Sequence, residues 1–430
     1  MKPVRSILLA AFLCMTASDS IAEDRVVLQN VNVVDVVSGR LQTNQTIFIE
    51  DGRIVSVSPS ASLKPKDGTK VLDLPDKTVI PGLIDLHSHL LLHPYNEASW
   101  KDQVLKESIG LRTLRAVPAM KKTLAAGFTT LRDLGTEGAG YADIALRDAV
   151  NIGIVEGPRI FAVTRAIVAT GCYGPSGFDP RWALPKGAQV ADGVSQVRRV
   201  VREQIAAGAD WIKVYADYRR KAGGVSTPTF SQEELNAIVD EAKSAGLPVA
   251  AHAGTSEAIR RAVLAGVTTI EHGSDASSQV LALMRQHHVA LCPTLAAAEA
   301  MAKYGGWKPG ESAPPRLASA RAMFKRALAS GVTIACGSDV GVFPHGDNAR
   351  ELELMVDFGM TPAQAIRSAT STASTVLGRS KDLGQIKPGY IADLVVLDED
   401  PTKEIKRLRD PILVMKTGRI VYKRISSGSK

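Results

Sequence analysis

The sequence predicts an α/β protein: a (β/α)8 barrel, also called a TIM barrel, beside a small β-sandwich domain built from both ends of the chain. Between residues 81 and 383, apolar runs alternate with helical segments eight times, which is typical of parallel strands buried under helices. Residues 23–80 instead contain short β-branched runs separated by turn signals such as Asp51-Gly52. Residues 384–430 return to β character. We therefore assign residues 23–80 and 384–430 to the small domain and residues 81–383 to the barrel.

The eight barrel strands are predicted from apolar runs at Leu83–His87, Phe128–Arg132, Arg159–Val163, Trp211–Tyr215, Pro248–His252, Val267–Glu271, Ala290–Thr294 and Val332–Cys336. Helical patterns separate them, and one of these begins with the capping box Ser231-x-x-Glu234. Enzymes with this fold place their active sites at the carboxyl ends of the strands. We therefore expect functional side chains at those ends.

Composition and charge exclude several classes of protein. The chain has 430 residues, of which 45% are hydrophobic and 22% charged, so it is neither disordered nor fibrous. Its net charge of +8 is spread along the chain, and the longest basic run is Arg219-Arg220-Lys221. A nucleic-acid partner is not expected, because such proteins concentrate basic charge on one surface. No later stretch approaches the length of about 18 apolar residues that a membrane span needs.

Residues 1–22 are typical of a secretory signal peptide that is cleaved after about Ala22. Lys2 and Arg5 precede the apolar run Ile7–Met15, and Ser20-Ile21-Ala22 resembles a cleavage site. We therefore expect an exported protein, periplasmic or secreted. Removal of this segment leaves three of the four cysteines. An odd number in an exported protein predicts no disulfide framework, so stability must come from a large core.

Histidines and an aspartate mark the predicted strand ends. His87 and His89 close the first strand, where positions i and i+2 face the same side and so can point at one metal ion. His252 ends the fifth strand, His272 follows the sixth, and Asp339 follows the eighth. Because the carboxyl ends of barrel strands meet at one mouth, these residue types in this order indicate a metal site.

Lys213 lies within the apolar fourth strand, where a free ammonium group is costly to bury. One interpretation is an outward-facing lysine whose stem lies along a helix. The other is a lysine of lowered pKa that reacts with carbon dioxide to form a carbamate, an anion able to bridge two divalent cations. We favour the carbamate because of where the other ligand types fall.

These motifs resemble the amidohydrolase superfamily. The residues are GLIDLHSH at 82–89, Lys213, His252, His272 and GSD at 337–339. DWIKVY at 210–215 and GVFPHGDNARELEL at 341–354 resemble its prolidase-like group of metal-dependent dipeptidases and carboxypeptidases. That group includes bacterial enzymes that hydrolyse the amide of ochratoxin A. The resemblance covers residues 27–423.

The resemblance implies a binuclear centre that usually holds two Zn²⁺ ions. His87, His89 and Asp339 would hold one ion, His252 and His272 the other, and carbamylated Lys213 would bridge them. In that mechanism the two cations lower the pKa of a bridging water and polarise the substrate carbonyl. Asp339 would be the catalytic residue, taking the proton of the water and passing it to the leaving amine.

One motif departs from the group's pattern. Where the group often has T-G-G-H-G after the third strand, this chain has TGCYG at 170–174. Tyr173 either replaces the histidine near the scissile carbonyl through its hydroxyl, or this loop serves another substrate. A purely structural role for Tyr173 is an equal alternative.

A substrate carboxylate would also need partners. Tyr215, Tyr218 and Arg219 follow the fourth strand and could supply hydroxyl and guanidinium donors. His345, six residues beyond Asp339, is a further candidate for a substrate contact.

The sequence therefore predicts an amidohydrolase that removes a C-terminal amino acid from an N-acyl amino acid or a dipeptide, and ochratoxin A has this form. Its partner would be a small molecule or dipeptide with a free carboxylate. One alternative is a cyclic-amide or lactone hydrolase, because the same centre serves many bonds. Another is an inactive barrel that acts as a binding module. The resemblance also implies a homo-oligomer, with an octamer as one candidate.

Overall fold

A computed structural model describes residues 25–60, 68–179, 181–220 and 223–425. The predicted signal peptide lies outside these residues, so cleavage and export stay predictions. Among the described helices, none combines the length and the apolar character that crossing a membrane would require.

The described residues form strands at the following positions: β1 (Val26–Asp35), β2 (Arg40–Glu50), β3 (Arg53–Pro59), β4 (Lys70–Asp73), β5 (Thr78–Pro81), β6 (Leu83–Ser88), β7 (Phe128–Asp133), β8 (Arg159–Ala162), β9 (Ile167–Val168), β10 (Gln189–Val190), β11 (Ile212–Tyr215), β12 (Asp217–Arg219), β13 (Ser226–Pro228), β14 (Val249–Ala253), β15 (Thr269–His272), β16 (Ala290–Cys292), β17 (Leu394–Leu397), β18 (Leu413–Lys416) and β19 (Arg419–Lys423).

The helices are α1 (Trp100–Lys106), α2 (Ile109–Ala125), α3 (Ala142–Asn151), α4 (Gly193–Ala206), α5 (Gln232–Ser244), α6 (Ser256–Ala265), α7 (Ser278–Gln286), α8 (Leu295–Tyr304), α9 (Pro315–Ser330), α10 (Ala349–Asp357), α11 (Pro362–Ser368) and α12 (Ser371–Val376). The predicted capping box is confirmed at α5, where the Ser231 side chain accepts from the Glu234 amide and the Glu234 side chain accepts from Ser231. Helix α6 ends at Gly266, whose φ of 91° is the left-handed conformation that favours glycine after a helix.

One mixed sheet of eight strands joins the two ends of the chain. Its order is β19-β18-β17-β5-β1-β2-β3, and β4 pairs with β1. Strand β17 is antiparallel to β5, with Leu394 opposite Pro81. Arg53 of β3 also forms a bridge with Ile391, so the sheet curves back around its own apolar core. The strands of the predicted sandwich are hydrogen-bonded into this one curved sheet.

Two parallel sheets hold the strands of the predicted barrel. Their orders are β6-β7-β8 and β10-β9-β11-β14-β15-β16. Seven of the eight predicted barrel strands are present, with ends shifted by at most two residues. The eighth strand was predicted at Val332–Cys336, but the structure has only a single bridge there, between Ile334 and Leu291. The prediction of a regular strand at this position was therefore wrong.

Hydrogen bonds join the two parallel sheets at both of their edges. On one side, the Asp210 amide donates to the Ala162 carbonyl over 2.8 Å, between β8 and the start of β11. On the other side, the segment around Ile334 bonds to β16 and also accepts from β6, where the Leu86 amide lies 2.9 Å from the Cys336 carbonyl. The carboxyl ends of these strands therefore come together.

The interior is apolar and carries no disulfide among the described cysteines. Cys172, Cys292 and Cys336 are buried and free. The largest apolar cluster packs the strands of the second parallel sheet against helices α4 to α11. A rigid core of this size holds the strand ends at fixed positions.

Candidate metal centre

Two histidines at the end of β6 face one carboxylate. The Nε2 atoms of His87 and His89 lie 3.6 and 3.3 Å from Oδ1 of Asp339. Their Nδ1 atoms point the other way, 2.8 Å from Oε2 of Glu271 and 3.0 Å from the Gly135 carbonyl. The structure therefore brings the H-x-H pair together, and each ring keeps one nitrogen directed at Asp339.

The ends of β14 and β15 bring two more histidines to the same place. The ring centroids of His252 and His272 are 4.5 Å apart, and His272 lies 5.0 Å from His87. Nδ1 of His272 is 2.7 Å from the Thr294 hydroxyl, and Nε2 of His252 is 3.7 Å from a carboxylate oxygen of Asp217. Polar partners of this kind orient metal-binding imidazoles.

Asp339 completes the group from the end of the irregular eighth segment. Its amide donates to the His87 carbonyl over 2.7 Å, which fixes the chain beside β6. Asp339 and His272 both adopt left-handed backbone angles, with φ of 64° and 71°. Such conformations turn side chains out of regular strand geometry and are concentrated at functional sites. One ligand atom each from His87, His272 and Asp339 lies within 4.8 Å of the others.

Lys213 lies in β11 with its ammonium group buried. Only 1% of the residue is exposed, and Nζ has no hydrogen-bond partner in the described structure. Desolvation lowers the pKa of Lys213 to about 8, although Glu271 and Asp339 favour its charged form. A buried ammonium without a partner is unfavourable. The outward-facing interpretation is therefore wrong, because the side chain is inside the protein.

The protonation of three of the four imidazoles suits metal binding. Burial lowers the pKa of His87 and His272 well below the ordinary value, and it lowers the pKa of His252 to about 4. Burial also opposes the charged form of His89, but the hydrogen bond to Asp339 and the charge of Glu137 raise its pKa to about 9. Metal ligands must be neutral imidazoles, so a cation bound beside Asp339 would displace this proton. The donor set therefore fits divalent metals.

A buried ion pair that the sequence interpretation missed supports His87. Glu271, which accepts from His87, also lies 2.8 Å from a guanidinium nitrogen of Arg132 and 2.5 Å from the Thr269 hydroxyl. Both charged side chains are fully buried. Arg132 stacks on the Trp211 ring with its guanidinium carbon 4.4 Å from the centroid. A sequence signal for the pair exists, because each charge interrupts an apolar strand.

An aromatic wall adjoins the imidazoles. Tyr215 is buried and stacks on His252 with 4.4 Å between centroids, and Tyr173 lies 4.5 Å from Tyr215. Tyr218 and Trp100 lie 5.3 and 4.9 Å from Tyr173. The predicted residues Tyr173, Tyr215 and Tyr218 are thus brought together, and Trp100 is an addition that the sequence did not indicate.

Glu137 lies behind this wall and was also missed. Its Oε2 atom accepts from the Tyr173 hydroxyl over 2.5 Å and from the Trp100 indole over 2.7 Å. Its Oε1 atom has no hydrogen-bond partner in the described structure and lies 3.6 Å from Nδ1 of His89. Glu137 is fully buried, so this oxygen is shielded from water.

Arg219 and His345, the last two predicted substrate contacts, lie in different places, one exposed and one buried. Arg219 is exposed at the end of β12, with its guanidinium carbon 5.7 Å from the Tyr218 ring. His345 is buried against the Leu92 carbonyl, 3.4 Å from Nε2, and lines a separate cavity of about 410 Å³ with Lys122. In the described structure its ring makes none of the contacts that join the rings of His87, His89, His252 and His272. A substrate contact by His345 stays a prediction.

Comparison with known proteins extends these observations to most of the chain. The model described as "Amidohydrolase family" matches residues 78–421. An ochratoxinase from Aspergillus niger is 33% identical over 401 residues, covering 86% of this chain and 80% of the relative. The crystal structure of a Xaa-Pro dipeptidase with bound methionine is 32% identical, with a TM-score of 0.82, and covers 93% of this chain and 100% of that one.

A crystal structure of a prolidase complexed with N-methylphosphonate-L-proline is similar to the same extent. It is 33% identical with a TM-score of 0.81, and the match covers 93% of this chain and 100% of that one. The similarity therefore includes the small sheet as well as the strands that carry the histidines. The chain belongs to the amidohydrolase family, in which its relatives place it with the prolidase-like group, and it is a hydrolase that acts on amide bonds.

Proposed function

We propose that the protein is a dinuclear metal-dependent hydrolase that releases the C-terminal amino acid from a dipeptide or an N-acyl amino acid. In this proposal the two parallel sheets form one closed (β/α)8 barrel with the site at its mouth. The single observation that carries the proposal is Lys213, a buried amine without a hydrogen-bond partner whose charge acts on His87, His252, His272 and Asp339. A binding module would gain nothing from burying that amine.

Formation of a carbamate would remove the unfavourable positive charge from the buried Lys213 side chain. The neutral amine adds through Nζ to the carbon of carbon dioxide and loses one proton, which gives a carbamate with one negative charge. Its pKa of about 8 leaves a larger neutral fraction near neutral pH than an ordinary lysine has. The product would face Arg132, whose positive charge currently disfavours the ammonium form.

The remaining donors divide between two metal positions. His87, His89 and Asp339 would hold one ion, His252 and His272 the second, and the Lys213 carbamate would bridge them. When bound, the ions would lower the pKa of a water molecule and polarise the scissile carbonyl. The Glu271 carboxylate and the Thr294 hydroxyl would keep the Nδ1–H of His87 and of His272 directed outward, which leaves Nε2 free to bind.

Asp339 would move the proton. Burial raises the pKa of this carboxyl group, but His87 and His89 outweigh that effect and lower the pKa overall. Asp339 is therefore a carboxylate in the resting protein and able to accept a proton from the attacking water. It would then return the proton to the leaving amine, which could not depart as an anion.

Recognition of the substrate carboxylate falls to Arg219 in this proposal. No carboxylate within the described parts of the chain lies within 4.0 Å of its guanidinium group, so its charge is available. Tyr218 precedes it on β12 and belongs to the aromatic wall beside His252. The name of the Aspergillus relative extends the proposal to ochratoxin A, in which the leaving amine is phenylalanine.

The test combines metal content with substrate hydrolysis. Protein purified under a carbon dioxide atmosphere is analysed for bound metals and assayed with acyl-phenylalanine, acyl-proline, acyl-arginine and ochratoxin A. We expect two metal ions per chain and release of the free amino acid. Isotopically labelled bicarbonate should give a carbamate NMR signal that the Lys213→Met variant lacks.

Controls separate this function from its alternatives. Esterification of the substrate carboxylate should abolish hydrolysis, and full activity on the ester would instead favour cyclic amides or lactones. Retention of hydrolysis after complete metal removal would refute the proposal. We further propose export of the chain and homo-oligomer formation, which are tested by the N-terminus of the native protein and by its mass in solution.

A further inference from the structure

Helix α10 begins with two polar residues whose side chains do not bond to their own helix. Asn348 precedes the first residue of the helix and Glu351 lies in its first turn, places where such side chains usually accept from the free amides at the start of that helix. In the described structure Asn348 makes no such bond. Both Glu351 oxygens accept instead from the amides of Leu295 and Ala296, over 3.0 and 2.7 Å. Both side chains are fully buried and reach other elements of the fold.

Asn348 is connected to the metal centre through the buried carboxyl group of Asp85. The side-chain amide of Asn348 donates to Oδ2 of Asp85 over 2.8 Å. Oδ1 of Asp85 accepts from the amides of His87 and Ser338, each over 3.0 Å. The Ser338 hydroxyl also donates to Oδ2 of Asp85, over 2.5 Å. Asp85 therefore joins strand β6, which carries His87, to the residue that precedes Asp339.

Glu351 is connected to the metal centre through helix α8. The two amides from which it accepts are the first two of that helix, so Glu351 fixes the place where α8 begins. Thr294 immediately precedes these amides in a left-handed conformation with φ of 52°, and its hydroxyl lies 2.7 Å from Nδ1 of His272. A shift at the start of α8 would therefore move the group that orients His272.

We propose that Asn348 and Glu351 are positioning residues, each of which acts on a different metal position. Asn348 acts through Asp85 on the position that contains His87. Glu351 acts through α8 on the position that contains His272. This inference rests on the proposed function, which supplies the two positions. The first turn of α10 then sets the distance between them, which gives part of the GVFPHGDNARELEL motif a physical role.

The test measures the affinity of each metal position separately. The protein is loaded with cadmium-113, which gives one NMR resonance for each bound ion. The His252→Ala variant removes a ligand of the second position and so identifies the resonance of that position. A chelator then removes the ions stepwise, and the ratio of the two affinities follows from the two resonances.

The two variants should change this ratio in opposite directions. Asn348→Leu cannot donate to Asp85, so it should weaken the position of His87 relative to the other by about 10- to 100-fold. Glu351→Gln places an amide N–H against the α8 amides and should shift the ratio by about 10- to 100-fold the other way. A general loss of stability would lower both affinities together and would not produce opposite shifts.

Glu353→Gln is the matched control. Glu353 lies in the same helix, but its carboxylate pairs with Arg350 and Arg409 instead of α8, so this variant should leave the ratio unchanged. Asn348→Ser and Glu351→Asp are milder substitutions, used if a variant does not fold, and they should shift the ratio in the same two directions. An unchanged ratio, or an equal loss at both positions, would overturn the inference and leave the proposed function standing. Binding of fewer than two cadmium ions by the wild type would overturn both proposals.

Discussion

Arg132 and Glu271 form an ion pair that is shielded completely from water beneath His87. Replacing Arg132 with methionine removes the cation while the Glu271 carboxylate stays buried. The change also removes donors to the Leu86 carbonyl and to the Thr269 hydroxyl, at 2.7 and 3.1 Å. We predict a large loss of stability together with weaker metal binding, because Glu271 accepts from His87.

The magnitude follows from the burial of both partners. Breaking a buried pair on one side costs about 3–5 kcal/mol, since an unpaired charge remains in a medium of low dielectric constant. The Arg132→Met variant should therefore lose about 3–5 kcal/mol of its free energy of unfolding. Adding Glu271→Gln removes the stranded charge and should restore about 2 kcal/mol, a coupling within the usual range for contacting residues. Metal affinity should fall by about 10- to 100-fold in the single variant.

The assay is urea unfolding of the metal-free chain, followed by tryptophan fluorescence and far-UV circular dichroism. Trp211 stacks on Arg132 and reports the local change. Coincidence of the two curves is required before free energies are compared. Metal affinity is measured separately by competition with a chelator.

Arg159→Met supplies the matched control. Arg159 pairs with Asp393 over 2.7 Å where β8 meets the small sheet, away from the histidine cluster. This variant should lose stability without any change in metal affinity. A loss below about 1 kcal/mol for Arg132→Met, or a coupling below about 0.5 kcal/mol, would refute the argument from the buried charge.

Three further predictions concern residues around the centre. Gly341→Ala should lower the free energy of unfolding by about 2–4 kcal/mol in urea titrations. The reason is that φ of Gly341 is 112° and an added Cβ atom would lie 2.5 Å from the His89 carbonyl oxygen. An unchanged free energy of unfolding would show that the loop relaxes. Asp217→Asn should weaken the binding of one metal ion about 10- to 100-fold in chelator competition by releasing His252, and equal loss at both positions would contradict this. Burial lowers the pKa of His345 to about 4, so the unfolded chain binds more protons between about pH 6.5 and 4, and stability falls as the pH drops through that window. His345→Gln should remove about 3 kcal/mol of that fall in unfolding curves measured at several pH values, and an unchanged slope would assign it to other groups.

The positions of the strands and of the ligand-type histidines follow from the sequence, because both depend on local order. The carboxyl end of an apolar strand can be read from the sequence. A histidine at that end lies at the mouth where the parallel strands finish, so its place in the site is fixed by its place in the strand. The burial of Lys213 follows in the same way from its apolar neighbours in β11. The geometry of the eighth segment does not, because its hydrogen bonds alternate between β16 and β6 and depend on both being in place.

The residues around the ligands could not be identified from spacing. Asp217 reaches His252 from a neighbouring strand, and Glu137 reaches Tyr173 from the loop after β7. These contacts depend on loop conformation, and Glu137 itself has a φ of 53°, which no sequence period indicates. Trp100 was also missed, because it lies in helix α1 and nothing in its neighbouring sequence indicates that its ring reaches Tyr173.

The small sheet also constrains how the protein is made. Strand β5 pairs with β1 near the start of the chain and with β17 near its end, and its partners on β17 lie roughly 300 positions away in sequence, a separation that slows folding. While the ribosome is still translating the barrel, the β5 edge has no neighbour on that side. A product truncated before β17 would expose this edge and invite aggregation or proteolysis. Closing the sheet with the last strands of the chain thus makes completed synthesis a condition of a stable fold.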